Sequence, residues 1–403
     1  MKRSIFFTLV IIFLAFSFAS AQERLDRVQP RNRTNLPAAN MQVRPKNFPS
    51  QAALTIDPNR LAVTSPKTFR ITDPQLGTRP YRKDMALCEL SRGDLAMVYE
   101  AVVDGTNGGS VQGLLVYLSP LLQQKGTTLP ITVRHRTPVL TSVDLHEFSD
   151  ERLLLTYLEQ SESNSNQYSI NTLIISKRGT ISRGPKILSP FNSGQRLLGV
   201  TLMQGGMAAM VTYQQGQTSY VAVIGSSGRL LVHQRALKNI PVAGIAKGNV
   251  QYPEIQAAPR LLDDGLVLLS ARCNDAGGMV YLDPYGQWAG NFLSFRMRGS
   301  KPMRQDILDV LPLPGSERYL LLLAGQTHSL VVTNEPLATH AVHQFSTEVP
   351  LSGQRFWTFG WGDESALVLR QTPTGNSMDK INAMVVNNRG TVEKTDQVVF
   401  STV

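Results

Sequence analysis

The sequence predicts an all-β fold assembled from repeated four-stranded units. From residue 84 onward, short runs of apolar and β-branched residues recur between clusters of Gly, Pro, Asn and Ser. No stretch sustains the i, i+3, i+4 spacing of an amphipathic helix. A pair of strands followed by a tight turn returns at a nearly constant interval, and that return is the third and strongest observation.

The first members of the pairs are Leu95–Val103, Leu153–Leu158, Met207–Tyr213, Leu266–Ala271, Tyr319–Ala324 and Ala366–Arg370, starting 58, 54, 59, 53 and 47 residues apart. The second members are Leu114–Leu118, Asn171–Ser176, Tyr220–Gly225, Met279–Asp283, Ser329–Thr333 and Asn382–Asn387. Four pairs are followed by a glycine at a matching position: Gly179, Gly228, Gly286 and Gly390. Glycine there supplies the positive φ of a tight hairpin and leads into a further strand. Upstream of the pairs lie Val139–Phe148, Arg196–Met203, Ile255–Leu262, Ile307–Leu313 and Phe356–Trp361, which makes four strands per unit.

Six units over residues 80–403 average 54 residues, near the ~40–50 of four-stranded propeller blades. One such sheet cannot bury both faces alone, and a ring of them protects the edges. The strand-strand-turn-Gly pattern resembles the β-propeller superfamily over about four fifths of the chain. Met279–Trp288 is similar to a single blade of the quinoprotein-like propellers, and the likeness stays at superfamily level because no other unit repeats it. The expected architecture is a six-bladed β-propeller of four-stranded blades at residues 84–403. The alternative is seven blades, with strands borrowed from residues 51–72.

Residues 1–21 read as a secretory signal peptide: Lys2 and Arg3, the apolar run Ile5–Phe18, then Ala19-Ser20-Ala21 before Gln22. The expected location is therefore periplasmic or secreted, with no transmembrane segment after cleavage. Residues 22–83 form a Pro-rich arm with twelve basic and four acidic side chains, whereas residues 84–403 hold 26 of each. Eight prolines break regular structure in the arm, with a candidate edge strand at 61–72. Arg24, Arg27, Arg31 and Arg33 are candidate docking residues for an acidic polymer or for an envelope or extracellular protein; export argues against nucleic acid.

Sites of chemistry are sparse. No G-x-S-x-G elbow and no phosphate-binding Gly-rich loop occurs. His340 and His343 fall on opposite faces of a strand, so neither a metal nor a cofactor is expected. Asp306 and Asp309, or Asp144 and Glu147, could each supply one member of a carboxylate pair. In Phe356–Trp361 strand alternation puts Trp357, Phe359 and Trp361 on one face, where flat rings could stack on a sugar or anchor a partner. Cys88 and Cys273 fall in the first and fourth units, too far apart in a six-membered ring for a disulfide.

The expected function is that of an exported, non-catalytic binding or scaffold protein, with the propeller as a rigid interaction platform and the arm as a docking segment. The alternative is an extracytoplasmic carbohydrate-active enzyme with carboxylates converging on the ring's centre.

Overall fold

The computed structural model describes residues 79–103, 110–119, 124–131, 140–241, 253–262, 264–273, 276–294, 306–313, 318–324, 327–334, 347–350, 356–361, 364–374 and 378–401. All regular structure among them is strand. Sheet 1 holds β1 (Arg79–Glu89), β2 (Leu95–Val103), β3 (Ser110–Leu118) and β4 (Gln124–Pro130); sheet 2 holds β5 (Leu140–Glu147), β6 (Leu153–Gln160), β7 (Tyr168–Ile175) and β8 (Ile181–Asn192). Sheet 3 holds β9 (Gln195–Leu202), β10 (Ala208–Gln215), β11 (Thr218–Gly225) and β12 (Leu230–Ala236). Sheet 4 holds β13 (Glu254–Ile255), β14 (Arg260–Leu261), β15 (Val267–Cys273), β16 (Ala276–Leu282) and β17 (Leu293–Ser294). Sheet 5 holds β18 (Ile307–Leu313), β19 (Arg318–Leu323), β20 (Thr327–Asn334) and β21 (Thr347–Pro350); sheet 6 holds β22 (Phe356–Trp361), β23 (Ser365–Thr374), β24 (Met378–Asn387) and β25 (Val392–Ser401).

Every sheet is an antiparallel meander of consecutive strands, and the inner strands pack against one another from sheet to sheet, β1 on β5, β5 on β9 and β18 on β22. The fold is a β-propeller. Five sheets have four strands, not six as expected. Sheet 4 departs because β13 and β14 are two short pieces that both pair with β15. Pro253 and Pro259 flank these pieces, and proline lacks the N–H that an unbroken ladder needs. The signal peptide, the arm residues 22–78, the strand expected at 61–72 and the strands considered for a seventh blade lie outside the described residues; β1 begins at Arg79.

The second and third strands are predominantly apolar and buried along most of their length because both of their faces meet protein. In β6, Leu153, Leu155 and Tyr157 join a cluster with Ala96, Val98 and Leu115 of sheet 1. Leu154 and Leu158 point the other way, into a cluster with Val211 and Ala222 of sheet 3. Further clusters fill the spaces between sheets 3 and 4, 4 and 5, and 5 and 6. Each large side chain removed from water contributes about 2 kcal/mol, so these clusters outweigh any polar link between sheets. Outer strands differ: β8 is largely exposed and carries Pro185 and Pro190, which an edge strand tolerates.

The turn glycines serve a second purpose. Gly179, Gly228, Gly286 and Gly390 have φ of 82°, 79°, 70° and 77°. Gly179 lies against Leu129 and Tyr117 of sheet 1, Gly228 against Ile174 and Arg183 of sheet 2, and Gly286 against Val221 of sheet 3. Each of these three turns thus leans on the preceding sheet at a distance that a side chain would disturb. A Cβ at Gly286 would sit 2.8 Å from Val221 Cγ1, whereas one at Gly126 (φ 73°) would meet nothing within 4 Å.

Gly126→Ala should therefore cost about 1 kcal/mol, the left-handed strain alone. Gly286→Ala should cost about 1 kcal/mol more, since Val221 must also shift. Urea midpoints of the two variants measure the difference, and equal midpoints would show that the contact with sheet 3 carries no energy.

Candidate functional site

The polar residues with most partners lie on the inner strands and cross between sheets. A bulge in β5 between Thr141 and Asp144, and another in β18 between Ile307 and Asp309, each lie just before an aspartate that keeps its ladder partner, Thr156 or Leu322. Each aspartate then accepts the next residue's backbone N–H: Leu145 to Asp144 Oδ1 at 3.0 Å and Val310 to Asp309 Oδ1 at 2.9 Å. The remaining oxygen capacity reaches a neighbouring sheet. Asp144 Oδ2 accepts the Val200 N–H of β9 at 3.1 Å, and His146 Nε2 lies 3.0 Å from Asp144 Oδ1.

Asp309 joins three sheets. Arg260 of β14 donates from Nε to Oδ1 at 3.2 Å and from Nη2 to Oδ1 and Oδ2 at 2.8 and 2.7 Å. Thr358 of β22 donates its hydroxyl to Asp309 Oδ2 and accepts from Arg260 Nη2 at 3.2 Å. The forked geometry matches a guanidinium to a carboxylate better than any lysine could. A second link lies beside it: Arg272 of β15 donates to Asp306 Oδ1 at 2.5 Å and to Glu254 Oε2 at 2.9 Å. Gln256 Nε2 also donates to Asp306 Oδ1 at 2.8 Å, and the Ile307 N–H returns to Gln256 Oε1 at 3.0 Å.

At the turns joining first and second strands, sheets 1 and 2 share a different cluster. Glu147 Oε2 accepts the Ser91 N–H at 2.5 Å, and Arg92 pairs with Glu151 at 2.6 Å, which Lys177 approaches at 3.3 Å. Desolvation raises the Glu147 carboxyl above the usual carboxylate range despite the Ser91 bond, and it raises Glu89 as well. Burial, then the charge of Glu147, pushes the partly buried Cys88 thiol up to about 12. That thiol is held protonated and is a poor nucleophile. Cys88 belongs to the cluster between sheets 1 and 2 and Cys273 to that between sheets 3 and 4, and neither forms a disulfide.

The structure thus brings the carboxylates singled out in the sequence into cross-sheet links, with Asp306 beside Arg272 and Asp309 beside Arg260 and Thr358. Strand β22 covers Phe356–Trp361 as expected, with Trp357, Phe359 and Trp361 opposite Leu369, Leu367 and Ser365 of β23. Phe359 is half-buried, while the side chains of Trp357 and Trp361 lie outside the described ones, as do Arg24, Arg27, Arg31 and Arg33. Thr358, between the aromatics, carries the contact to Asp309 and was missed, as were Arg260 and Arg272. The third tryptophan, Trp288, donates from Nε1 to the Lys238 carbonyl at 3.1 Å and so ties sheet 4 to sheet 3. Its place in the Met279–Trp288 stretch has a packing reason. Among the described residues no group of three or more His, Cys, Asp and Glu side chains could hold a metal ion.

No protein-family model and no curated protein matches the chain. Solved structures do. The chain is similar to the periplasmic gluconolactonase of Pseudomonas aeruginosa at 14% identity, covering 80% of this chain and 85% of that one with a TM-score of 0.47. An ulvan lyase, a polysaccharide lyase, matches at 12% identity, covering 80% and 84% with a TM-score of 0.46. The Dos1 propeller matches at 8% identity, covering 70% and 63% with a TM-score of 0.43. At these identities the likeness is one of fold.

Asp309→Asn removes the charge opposite Arg260, which is only partly reached by solvent, and should lower stability by about 1–3 kcal/mol. Arg260→Met with Asp309→Leu should lose less than the sum of the single changes, because no charge is then left unpaired; additive losses would deny the coupling. Glu147→Gln tests the raised carboxyl. In the folded state the proton is held more tightly than in the unfolded chain, so the ionised form carries a penalty at neutral pH that fades as pH falls through the folded value. The variant should exceed the parent in stability at pH 7, with the advantage vanishing toward pH 4. An advantage that is independent of pH would exclude this origin.

Proposed function

We propose that the chain is an exported, non-catalytic binding or scaffold protein whose propeller is the rigid platform and whose basic arm, residues 22–83, is the docking segment. One observation carries the non-catalytic half. Asp144, Asp306 and Asp309, the inner-strand aspartates singled out as candidate acids, are all engaged in links that hold one sheet to the next. A glycosidase-type site needs two carboxylates free to face a substrate, one of them protonated at working pH. Here the two acids closest in sequence, Asp306 and Asp309, each face an arginine.

The docking half rests on charge layout. The arm has an excess of eight positive charges and the remainder of the mature chain has none, so long-range attraction to an acidic partner is concentrated there. The leader at residues 1–21 supports the periplasm or the exterior as the place where that partner is met. An envelope or extracellular protein, or an acidic polymer, fits this chemistry.

Crosslinking and affinity recovery from the native envelope test both halves, comparing the mature chain with one lacking residues 22–78, which leaves β1 whole. Loss of the partner with the arm, and its release from the mature chain by high salt, is the expected result. Full retention without the arm would remove the docking role. Release of new sugar chain ends from a polysaccharide by the purified protein would end the non-catalytic reading.

A further inference from the structure

The zero net charge of residues 84–403 conceals a strong internal division. From Ser163 to Pro253 there is no aspartate or glutamate in 91 residues, while nine lysines and arginines occur. This stretch contains β7 and β8 of sheet 2 and all of sheet 3. Protection of strand edges against pairing needs charge of either sign, and solubility is served best by mixed signs. Neither explains the complete exclusion of acids.

The cations lie on the outside. Arg178, Arg183, Lys186, Arg196, Arg229 and Lys238 are exposed, and none pairs with a carboxylate among the described residues; Lys177 reaches Glu151. The turn between β11 and β12 of sheet 3 meets β8 of sheet 2, because a Cβ on Gly228, one residue before Arg229, would lie 3.2 Å from Arg183 Cγ. Arg183 and Lys186 stand opposite Ile174 and Thr172 of β7, on the face of β8 that looks toward sheet 3, and with Arg229 of that turn they make one basic wall.

We infer that this wall, formed by β8 of sheet 2 and the β11–β12 turn of sheet 3, is a binding surface for a linear anionic polysaccharide. Exposed cations in a stretch without any acid match a chain that carries carboxylates or sulfates at regular intervals. An exposed outer surface rather than a pit suits a long polymer. The arm cannot be the occupant, since it carries the same sign. The inference is independent of the arm's docking role, for the wall belongs to the propeller alone.

The test uses the full mature chain and polygalacturonate as the probe, at low ionic strength. Arg183→Glu, Lys186→Glu and Arg229→Glu are combined in one wall variant, with the corresponding glutamines as a milder second. Arg24, Arg27, Arg31 and Arg33 are changed to glutamate in an arm variant, and Arg389→Glu on sheet 6 is the control. The wall variant should bind about tenfold or more weakly than the parent, the glutamine variant should lie between, and Arg389→Glu should bind like the parent. A parent that does not retain polygalacturonate, or a wall variant that binds as the parent does while the arm variant does not, overturns the wall and leaves the arm's docking role standing. A single-stranded oligonucleotide held as tightly as polygalacturonate, and lost equally in the wall variant, overturns the choice of a polysaccharide.

Discussion

Every level of this structure depends on one constraint: each middle strand has two apolar faces, and each face must be covered by a different sheet. In β6 the odd residues Leu153, Leu155 and Tyr157 serve sheet 1, and the even residues Leu154 and Leu158 serve sheet 3. A lone sheet of this composition would leave both faces in water, so the units stand only in company. The glycines of the hairpin turns, the aspartates after the bulges and the paired arginines all refine a contact that this two-faced burial imposes. Thr156, Thr212 and Ser270 interrupt three middle strands at corresponding points, each toward the following sheet, and Thr212 there donates to the Gly199 carbonyl at 3.2 Å.

Near the axis the polar chemistry works as joinery. Asp309 has four donors from three sheets in reach of its two oxygens, so its carboxylate is fixed in place and works as a rivet. The acids with raised proton affinity, Glu147 and Glu89, lie instead at the ends of β5 and β1, where the first and second sheets adjoin. Their desolvation is a local cost of closing those turns over one another.

The fold was legible in the sequence where local pattern decides structure. Leu95–Val103, Ile307–Leu313 and Phe356–Trp361 coincide with β2, β18 and β22, and the four turn glycines adopt the positive φ that hairpin chemistry requires. The splitting of sheet 4 was written in Pro253 and Pro259, but a run of apolar residues from Ile255 to Leu262 masks it. The links at the inner strands were not legible. Arg260 and Thr358 lie 49 residues before and 49 after Asp309, and no spacing rule connects groups that meet only once three sheets are packed. The basic wall was readable from a running count of acids; summing charge over the whole propeller hid it, because the acids gather on either side of the stretch.

One feature of the topology governs how the molecule is born. Each sheet is made from a single unbroken segment of chain, and none of those described borrows a strand from the far end. A chain that emerges from its N-terminus during synthesis would deliver these segments one at a time, each able to zip into a meander before its successor arrives. Assembly then becomes stacking in sequence order, with every newcomer templated by the apolar face its predecessor left open, and no early strand has to wait unpaired for the last residues to emerge.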